Sequence, residues 1–311
     1  MELRNLAFRK GVLKSVSFDV PVISVGNLSV GGTGKTPMVK YLIQQYSGDK
    51  TIGVLSRGYG RLTKGFFEVE TSSLAKNVGD EPLEIKIQFP ELTVTVCENR
   101  VMGIPEMLAI NPKIDLIILD DAFQHQYVKP KVSIVLSTFS NPYWSDYVLP
   151  MGKLREFRLN IKRADILIIT KAPDLSQTVP ETGLPTFLSQ TFDHQDLSLV
   201  HGLEREILKP IVVSGLADNT QFQQLIGEKY PESINLGFAD HRTYTITEVK
   251  QMIYDADRLD NNIITTEKDW VKLKTFVQEL KPDVSFWVQP ISLGFTEPFV
   301  LKTLIDDKIN G

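Results

Sequence analysis

Short runs of apolar and β-branched residues alternate along the chain with stretches in which apolar residues recur every three or four positions. The runs predict buried strands, and the stretches between them predict amphipathic helices. Strands are expected at residues 22–25, 51–56, 92–97, 114–119, 132–136, 164–170, 210–215, 234–236 and 263–266, with a short edge strand at 66–70. The alternation continues to the end of the chain and predicts an α/β fold with a mostly parallel sheet.

The periodicity weakens over residues 172–205, which are richer in Pro, Ser, Thr and Gln than the rest of the chain. We therefore expect a domain boundary near residue 205. The expected organisation is a larger domain at residues 1–205 and a smaller α/β domain at residues 206–311, with a substrate cleft between them.

A glycine-rich stretch, Ser-Val-Gly-Gly-Thr-Gly-Lys-Thr, joins the first predicted strand to the first predicted helix. Its glycines let backbone N–H groups converge on an anion at a helix N-terminus, where the potential is positive. Lys35 can then reach the β- and γ-phosphates of a nucleotide, and Thr36 can place its hydroxyl on Mg²⁺. The usual P-loop pattern has glycine where this chain has Ser29. The stretch predicts a nucleotide site formed by Ser29, Gly31, Gly32, Thr33, Gly34, Lys35 and Thr36.

Two adjacent carboxylates, Asp120 and Asp121, end the apolar strand predicted before them. In P-loop proteins an acid at such a strand end holds Mg²⁺ directly or through water. If the strand persists through both residues, their side chains point to opposite sides, so we expect one of them to face the metal. Gln124 and His125 follow on the same edge.

Several polar residues in loops have both a chemical and an ordinary structural interpretation. Arg57 and Arg61 follow a predicted strand, where open α/β sheets place ligands, but they can equally form a charged turn. Asp80 stands at the start of a predicted helix, and from the residues alone we favour a capping role for it. His241 beside Asp240 can move protons near neutral pH, although a surface pair of this kind usually has no role.

Two loop segments bear on nucleotide binding, one on the phosphates and the other on the base. Residues 149–156, Leu-Pro-Met-Gly-Lys-Leu-Arg-Glu, carry Lys153, Arg155 and Glu156, which can close over phosphates. A GTPase would show Asn/Thr-Lys-x-Asp after the strand at 164–170, but Pro173 occupies the aspartate position here. The second segment therefore argues against guanine specificity.

Composition narrows the class of protein. Of the 311 residues 42% are hydrophobic and 23% charged, as in ordinary globular proteins. The net charge of −4 argues against nucleic-acid binding as the main function. The single cysteine, Cys97, excludes an intrachain disulfide and any multi-cysteine metal site, which fits a reducing compartment.

The N-terminal segment is basic and amphipathic, with Arg4, Arg9, Lys10 and Lys14 interleaved with apolar residues. Such a segment can lie on an anionic membrane surface. It can also form a solvated helix packed on the domain. The pattern leaves both interpretations open, and no apolar run approaches the ~18 residues that a membrane span needs.

Seven motifs, in matching order, resemble those of the tetraacyldisaccharide 4′-kinase family, the lipid A 4′-kinases of Gram-negative bacteria. They lie at residues 22–37, 56–59, 79–82, 120–125, 149–156, 240–241 and 266–269. The resemblance covers nearly the whole chain and is far more specific than a P-loop alone, and the family accepts serine at position 29. It implies a P-loop kinase domain followed by a smaller α/β domain. The implied activity is phosphorylation of the 4′-hydroxyl of a tetraacylated glucosamine disaccharide 1-phosphate, using ATP and Mg²⁺.

The resemblance also implies residue roles. Asp80 becomes the expected general base, supported by His241, against the capping role favoured above. Lys35 and Arg155 would offset charge on the transferring group, while Thr36 with Asp120 or Asp121 would hold Mg²⁺. Substrate contacts are expected from Arg57, Tyr59, Arg61, Gln124, His125 and Glu156.

Members of this family usually begin with a membrane-embedded helix, and this chain starts near where that helix would end. The expected location is the cytoplasmic face of the bacterial inner membrane, with attachment that is peripheral or depends on a segment missing from this chain. Apart from the membrane surface and the lipid substrate, the resemblance implies no nucleic acid and no obligate protein partner.

Two other functions are compatible with the P-loop. A kinase or ligase for a soluble metabolite would work without detergent or lipid and would not use the basic N-terminus. A nucleotide-switch ATPase would hydrolyse ATP without a sugar-lipid acceptor. Many such switches carry lysine just before the Gly-Gly of the loop, where this chain has Val30, which weighs against the switch.

Overall fold

Strands and helices alternate through the chain as the apolar pattern predicts. The computed structural model describes residues 1–179, 181–192, 196–216, 218–240 and 242–311. The strands are β1 (Val22–Asn27), β2 (Ile52–Ser56), β3 (Phe67–Glu68), β4 (Thr93–Val96), β5 (Leu116–Leu119), β6 (Val132–Thr138), β7 (Ile166–Thr170), β8 (Thr186–Phe192), β9 (Ser198–His201), β10 (Ile211–Ser214), β11 (Ile234–Gly237), β12 (Asn262–Thr266), β13 (Ser285–Gln289) and β14 (Ser292–Phe295). The helices are α1 (Glu2–Arg9), α2 (Lys35–Tyr46), α3 (Ala75–Val78), α4 (Asp80–Gln88), α5 (Arg100–Ile110), α6 (Thr220–Lys229), α7 (Ile246–Asp257), α8 (Glu267–Leu280) and α9 (Pro298–Asn310), with short 3-10 helices at Tyr143–Ser145 and Arg158–Arg163.

The larger sheet has the strand order β14-β8-β7-β6-β1-β5-β2-β4-β3. Neighbours from β8 to β4 run parallel, while β14 and β3 pair antiparallel at the two edges. The carboxyl ends of β1, β2 and β5 therefore meet at one edge of the sheet, where α/β proteins bind ligands. This topology confirms the predicted α/β fold with a mostly parallel sheet.

Helices cover both faces of the central strands, which is why those strands are apolar throughout. Every residue of β1, β2, β4 and β5 is buried. On one face α2 contributes Met38 and Leu42 to the main core, and on the other α5 packs Ile104 and Met107 beneath β5. Each such side chain contributes roughly 1.5–3 kcal/mol by leaving water. The helix that carries Lys35 and Thr36 is thus fixed by its buried face.

A smaller sheet follows the order β11-β10-β12-β13-β9, with β9 as its antiparallel strand. Strand β9 precedes the expected boundary at residue 205 yet belongs to this second sheet. Conversely, β14 pairs with β8 in the first sheet, and α9 buries Leu301 and Ile305 in the first sheet's core. The domain boundary at residue 205 stays a prediction. The chain enters the smaller sheet before residue 205, at β9, and returns to the larger sheet after it, at β14.

Helix α1 packs against the domain that carries the larger sheet. The Asn5 amide is buried, donates to Glu156 at 2.7 Å and accepts from Gln126 at 2.6 Å. Arg4 donates to the backbone oxygen of Gln124 at 2.7 Å. The outer side of α1 remains open to solvent, with Leu3 84% exposed. The packed-helix interpretation is therefore confirmed for the inner side of this segment.

Within the described part of the chain, no helix has both the length and the apolar character that crossing a bilayer requires.

Candidate active site

The glycine-rich loop leaves β1 and enters α2 as predicted, and local hydrogen bonds hold its shape. Gly34 has a φ of 87° at the position before Lys35, a backbone conformation that favours glycine. The Thr33 hydroxyl accepts from the Asn27 amide at 2.8 Å, and the Thr33 carbonyl accepts from the Thr170 hydroxyl at 2.9 Å. The loop is therefore braced by its own strand and by the end of β7.

A second segment, residues 149–156, lies along the glycine-rich loop. The backbone N–H of Val30 donates to Lys153 at 2.8 Å, the N–H of Arg155 donates to Leu28 at 2.7 Å, and Ser29 forms a bridge with Leu154. These contacts join two motifs that are more than a hundred residues apart in sequence. They also place Arg155 beside the loop, as the expectation that this segment closes over phosphates requires.

The Asp121 carboxylate lies between two cations. It contacts Arg155 Nη1 at 3.1 Å and Lys35 Nζ at 3.6 Å. Burial opposes its ionisation, but Lys35 and Arg155 outweigh that effect and hold the pKa of Asp121 below its usual range. Strand β5 ends at Leu119, and Asp121 has a φ of 48°, so the two adjacent carboxylates have different surroundings. Asp121 thus lies at the mouth of the loop together with Lys35 and Arg155.

Asp120 is fully buried beneath Asp121. Its Oδ2 accepts from the Ser56 hydroxyl at 3.2 Å, whereas its Oδ1 has no hydrogen-bond partner among the described residues. Burial, together with the nearby charges of Glu81 and Asp121, raises the pKa of Asp120 to about 7. An unpartnered buried carboxylate oxygen is costly unless a cation or a donor satisfies it.

These residues fit a magnesium ion of the kind found in kinases. Mg²⁺ is usually bound by one or two carboxylates together with phosphate oxygens, so it needs no dedicated cage of protein ligands. Thr36, the second residue of α2, can supply its hydroxyl to the ion. Asp120 can supply Oδ1, the carboxylate oxygen without a hydrogen-bond partner. No cluster of three or more His, Cys, Asp or Glu side chains with metal-binding geometry occurs in the described ranges.

Asp80 is brought to the same edge by contact between two glycines. Gly79 has a φ of 95° and packs so closely on the turn after β2 that an added Cβ would lie 3.0 Å from Gly58 Cα and 3.3 Å from the Tyr59 oxygen. The motifs at residues 56–59 and 79–82 therefore contact each other through the backbone atoms of Gly58 and Gly79. Asp80 is the first residue of α4, and Arg57 and Tyr59 lie exposed beside the turn.

The predicted partner of Asp80, His241, lies outside the described residues. Its neighbour Asp240 forms an ion pair with Lys268 at the start of α8, so the motifs at 240–241 and 266–269 come together. Asp269 of the second motif is fully buried and accepts from the Thr266 hydroxyl and the Gly215 N–H, each at 2.7 Å. That residue supports the start of α8.

The expected substrate residues separate into two groups. Glu156 is buried and accepts from Asn5, Gln124 and Arg163, and the Arg61 guanidinium is held by Glu98 and the Gly65 carbonyl at 2.6 Å each. Those contacts hold both side chains in place, and a substrate contact by either one stays a prediction. Arg57, Tyr59, Gln124 and His125 remain near the strand ends, and Gln124 links the Asn27 carbonyl at 2.7 Å to Arg155 at 3.4 Å.

A cavity of about 400 Å³ opens at the ends of β4 and β5, beside His125. Its lining includes Lys14, Glu98, Asn99, His125 and Tyr127. Burial and the charges of Arg100, Arg4 and Arg57 lower the pKa of His125 to about 4, so the imidazole is neutral near pH 7. Val16 and Val101 also line the cavity, so its lining is largely apolar, with charged and polar side chains around it.

Sequence reasoning missed several residues that shape the site. Ser56, Asn27 and Thr170 hold the carboxylate and the loop through short polar contacts. Lys40 forms a buried ion cluster with Glu84 and Glu267. Ser56 and Thr170 could have been suspected because each ends a strand on the binding edge, but no local signal points to the partners of Lys40.

The chain is similar to one family of known proteins over its full length. The sequence profile of the tetraacyldisaccharide-1-P 4′-kinase family matches residues 1–310. A tetraacyldisaccharide 4′-kinase from Cytophaga hutchinsonii is 34% identical over 320 residues, covering 99% of this chain and 91% of that protein. One from Flavobacterium johnsoniae is 38% identical over 286 residues, covering 88% and 83%. The crystal structure of LpxK from Aquifex aeolicus in complex with ATP matches with a TM-score of 0.79 at 30% identity, covering 99% and 94% of the two chains.

Proposed function

The chain belongs to the tetraacyldisaccharide-1-P 4′-kinase family, and from that premise we propose how its side chains carry out the reaction. It is a kinase that uses ATP to phosphorylate the 4′-hydroxyl of tetraacyldisaccharide 1-phosphate, a step of lipid A biosynthesis. The roles of individual residues, the use of Mg²⁺ and the contact with a membrane are our proposals.

ATP binds with its β- and γ-phosphates in the loop formed by residues 29–36. The backbone N–H groups around Gly31, Gly32 and Gly34 converge there at the N-terminus of α2, and Lys35 reaches the phosphates from the first turn. The bonds from Asn27 and Thr170 to Thr33 support this role, because they keep the loop in one shape before the nucleotide arrives.

Thr36 and Asp120 would hold Mg²⁺, with Asp121 as the adjacent carboxylate. The unpartnered Oδ1 of Asp120 supports this proposal, since a cation would satisfy it. When bound, the ion would offset negative charge on the nucleotide phosphates.

Lys35 and Arg155 stabilise negative charge on the transferring phosphoryl group. Both contact Asp121, at 3.6 and 3.1 Å, and are therefore held together at the mouth of the loop. Cations placed before the reaction are effective because they do not reorganise during it. The pairing of residues 149–156 with the P-loop keeps Arg155 in this position.

Asp80 accepts the proton of the 4′-hydroxyl as that oxygen attacks phosphorus. His241 is proposed to support Asp80, and its sequence neighbour Asp240 pairs with Lys268. The contact between Gly58 and Gly79 sets Asp80 at the same sheet edge as Asp120 and supports this role.

The acyl chains of the substrate stay at a membrane surface while its sugar reaches the site. Exposed apolar side chains on α1 and on residues 149–163 support this, with Leu3, Met151 and Leu159 each at least 70% exposed. Arg9 and Lys10 at the end of α1 would attract anionic headgroups. Arg57, Tyr59, Gln124 and the cavity beside His125 receive the disaccharide. The enzyme would then work at the cytoplasmic face of the inner membrane.

The observation that carries this proposal is the convergence of Lys35, Arg155 and Asp121 on the P-loop. Its test is transfer of radiolabelled γ-phosphate from ATP to tetraacyldisaccharide 1-phosphate in mixed micelles with Mg²⁺. The wild type should yield a labelled bisphosphorylated lipid, and Lys35→Ala should lose that product. ATP consumption without labelled lipid would overturn the proposal in favour of a nucleotide switch. Labelling of a soluble sugar in preference to the lipid would overturn the assignment of the acceptor.

A further inference from the structure

A buried ion cluster joins three helices behind the proposed active site. Lys40 of α2 has a side chain only 6% exposed, and its Nζ lies 2.6 Å from Glu84 Oε1 and 3.0 Å from Glu267 Oε2. Glu84 belongs to α4 and Glu267 is the first residue of α8. Although burial disfavours its charge, the two carboxylates raise the pKa of Lys40, so it remains an ammonium. One cation therefore ties together the P-loop helix, the Asp80 helix and a helix of the smaller sheet.

The spacing of these residues relates the cluster to the chemistry. Lys40 follows Thr36 by four positions on α2, and Glu84 follows Asp80 by four positions on α4. Residues four apart lie on the same face of a helix, about 6 Å along its axis. The ion pair thus joins the two helices one turn behind their functional residues.

The third member extends the link to α8. Glu267 is followed directly by Lys268, which pairs with Asp240, the neighbour of His241. A change in the position of Glu267 would therefore also move Lys268 and its ion pair with Asp240.

We propose that Lys40 is a positioning residue that fixes the separation between the phosphate-binding turn of α2 and the Asp80 carboxylate, and that Glu267 extends this alignment to α8. The inference rests on the proposed function in that Asp80 is taken as the base.

Stability alone gives little reason for this cluster. Replacing a buried ion cluster by well-packed neutral groups is often neutral or stabilising, because desolvation of the charges offsets their attraction. Charged hydrogen bonds, in contrast, are short and directional and so define a distance. Alignment of reacting groups is sensitive to distance, since an error of ~1 Å can cost about 10²-fold in rate.

The test is a cycle of kcat values in the lipid phosphorylation assay. One arm carries the neutral cluster Lys40→Met/Glu84→Gln/Glu267→Gln, another carries Asp80→Asn, and the last combines them. Positioning predicts that the neutral cluster lowers kcat about 10–100-fold with an unchanged KM for ATP. In the Asp80→Asn background the same changes should cost less than about threefold, because there is no carboxylate left to align. Equal fold losses in both backgrounds, or a wild-type kcat for the neutral cluster, would overturn the inference.

Two controls separate the possible failures. Lys308→Met removes another ion pair, that with Asp165 at 2.8 Å, and should leave kcat unchanged. If the triple variant does not fold, Glu267→Met is used instead, because it keeps the Lys40–Glu84 pair. A lowered kcat with a wild-type melting temperature would support the link to α8. A wild-type kcat would refute that link. A wild-type kcat for the single variant Asp80→Asn would instead refute Asp80 as the base. The cycle measures that variant separately, so the two failures can be distinguished.

Discussion

Gly79→Ala tests whether contact between two glycines positions the Asp80 helix. Gly79 has φ 95° and ψ 153°, a region essentially restricted to glycine, where another residue costs about 1–3 kcal/mol. The added Cβ would also lie 3.0 Å from Gly58 Cα and 3.2 Å from Gly58 C, and backbone atoms there cannot rotate away. Either the turn or the start of α4 must then shift by a few tenths of an ångström.

The shift should affect catalysis more than nucleotide binding. Asp80 directly follows the substituted residue, so we expect kcat to fall about tenfold, while the KM for ATP stays near wild type because the P-loop is built on other elements. The stability loss of about 1–3 kcal/mol should lower the melting temperature by about 2–5 °C for a chain of this length. Calorimetry and steady-state phosphorylation assays measure the two effects separately.

Gly183→Ala is the matched control for backbone strain. Gly183 has a φ of 74° with no atom within 4 Å of an added Cβ, so the substitution brings strain of about 1–2 kcal/mol without a steric clash. It should lower stability and leave kcat unchanged. If Gly79→Ala retained wild-type kcat and stability, or lost no more than Gly183→Ala, the contact with Gly58 would not position the base.

Three further predictions concern charge and surface. Arg155→Ala should lower kcat about 10²–10³-fold with a small change in the KM for ATP, measured in the lipid phosphorylation assay, and a fully active variant would remove Arg155 from the mechanism. The fold lowers the pKa of His125 from 6.5 to about 4, so the stability contributed by its neutral form is present above pH 6.5 and is lost as the pH falls toward 4. Melting curves at pH 7 and pH 5 should therefore differ more for wild type than for His125→Gln, and equal differences would contradict this. Leu3→Asp should weaken binding to anionic phospholipid vesicles about tenfold in a flotation assay, and unchanged binding would exclude α1 from the membrane contact.

Local patterns in the sequence predicted the elements of the site well. The β-branched run before Ser29 and the apolar residues at helical spacing after Thr36 report directly on β1 and α2, because burial of one face is a local property of the sequence. The Asp120–Asp121 pair was expected at a strand end for the same reason. That expectation left open how the two carboxylates differ.

The packing and pairing of elements that are distant in sequence could not be predicted from local patterns. Strand β14 returns to the first sheet from near the end of the chain, and no local pattern encodes that pairing. Arg61 and Glu156 were expected to touch substrate, and that stays a prediction. Their ion pairs with Glu98 and Arg163 could not be foreseen, because no local pattern encodes them. The cluster around Lys40 escaped notice because a lysine inside an amphipathic helix ordinarily faces solvent.

The role of Asp80 as the base is the central claim, and a single-turnover experiment tests it most directly. Enzyme saturated with ATP and Mg²⁺ is mixed with tetraacyldisaccharide 1-phosphate in micelles, and formation of the phosphorylated lipid is followed for wild type and Asp80→Asn. We predict that Asp80→Asn binds ATP with wild-type affinity and transfers phosphate about 10²–10⁴-fold more slowly. Transfer at the wild-type rate by Asp80→Asn would contradict the account.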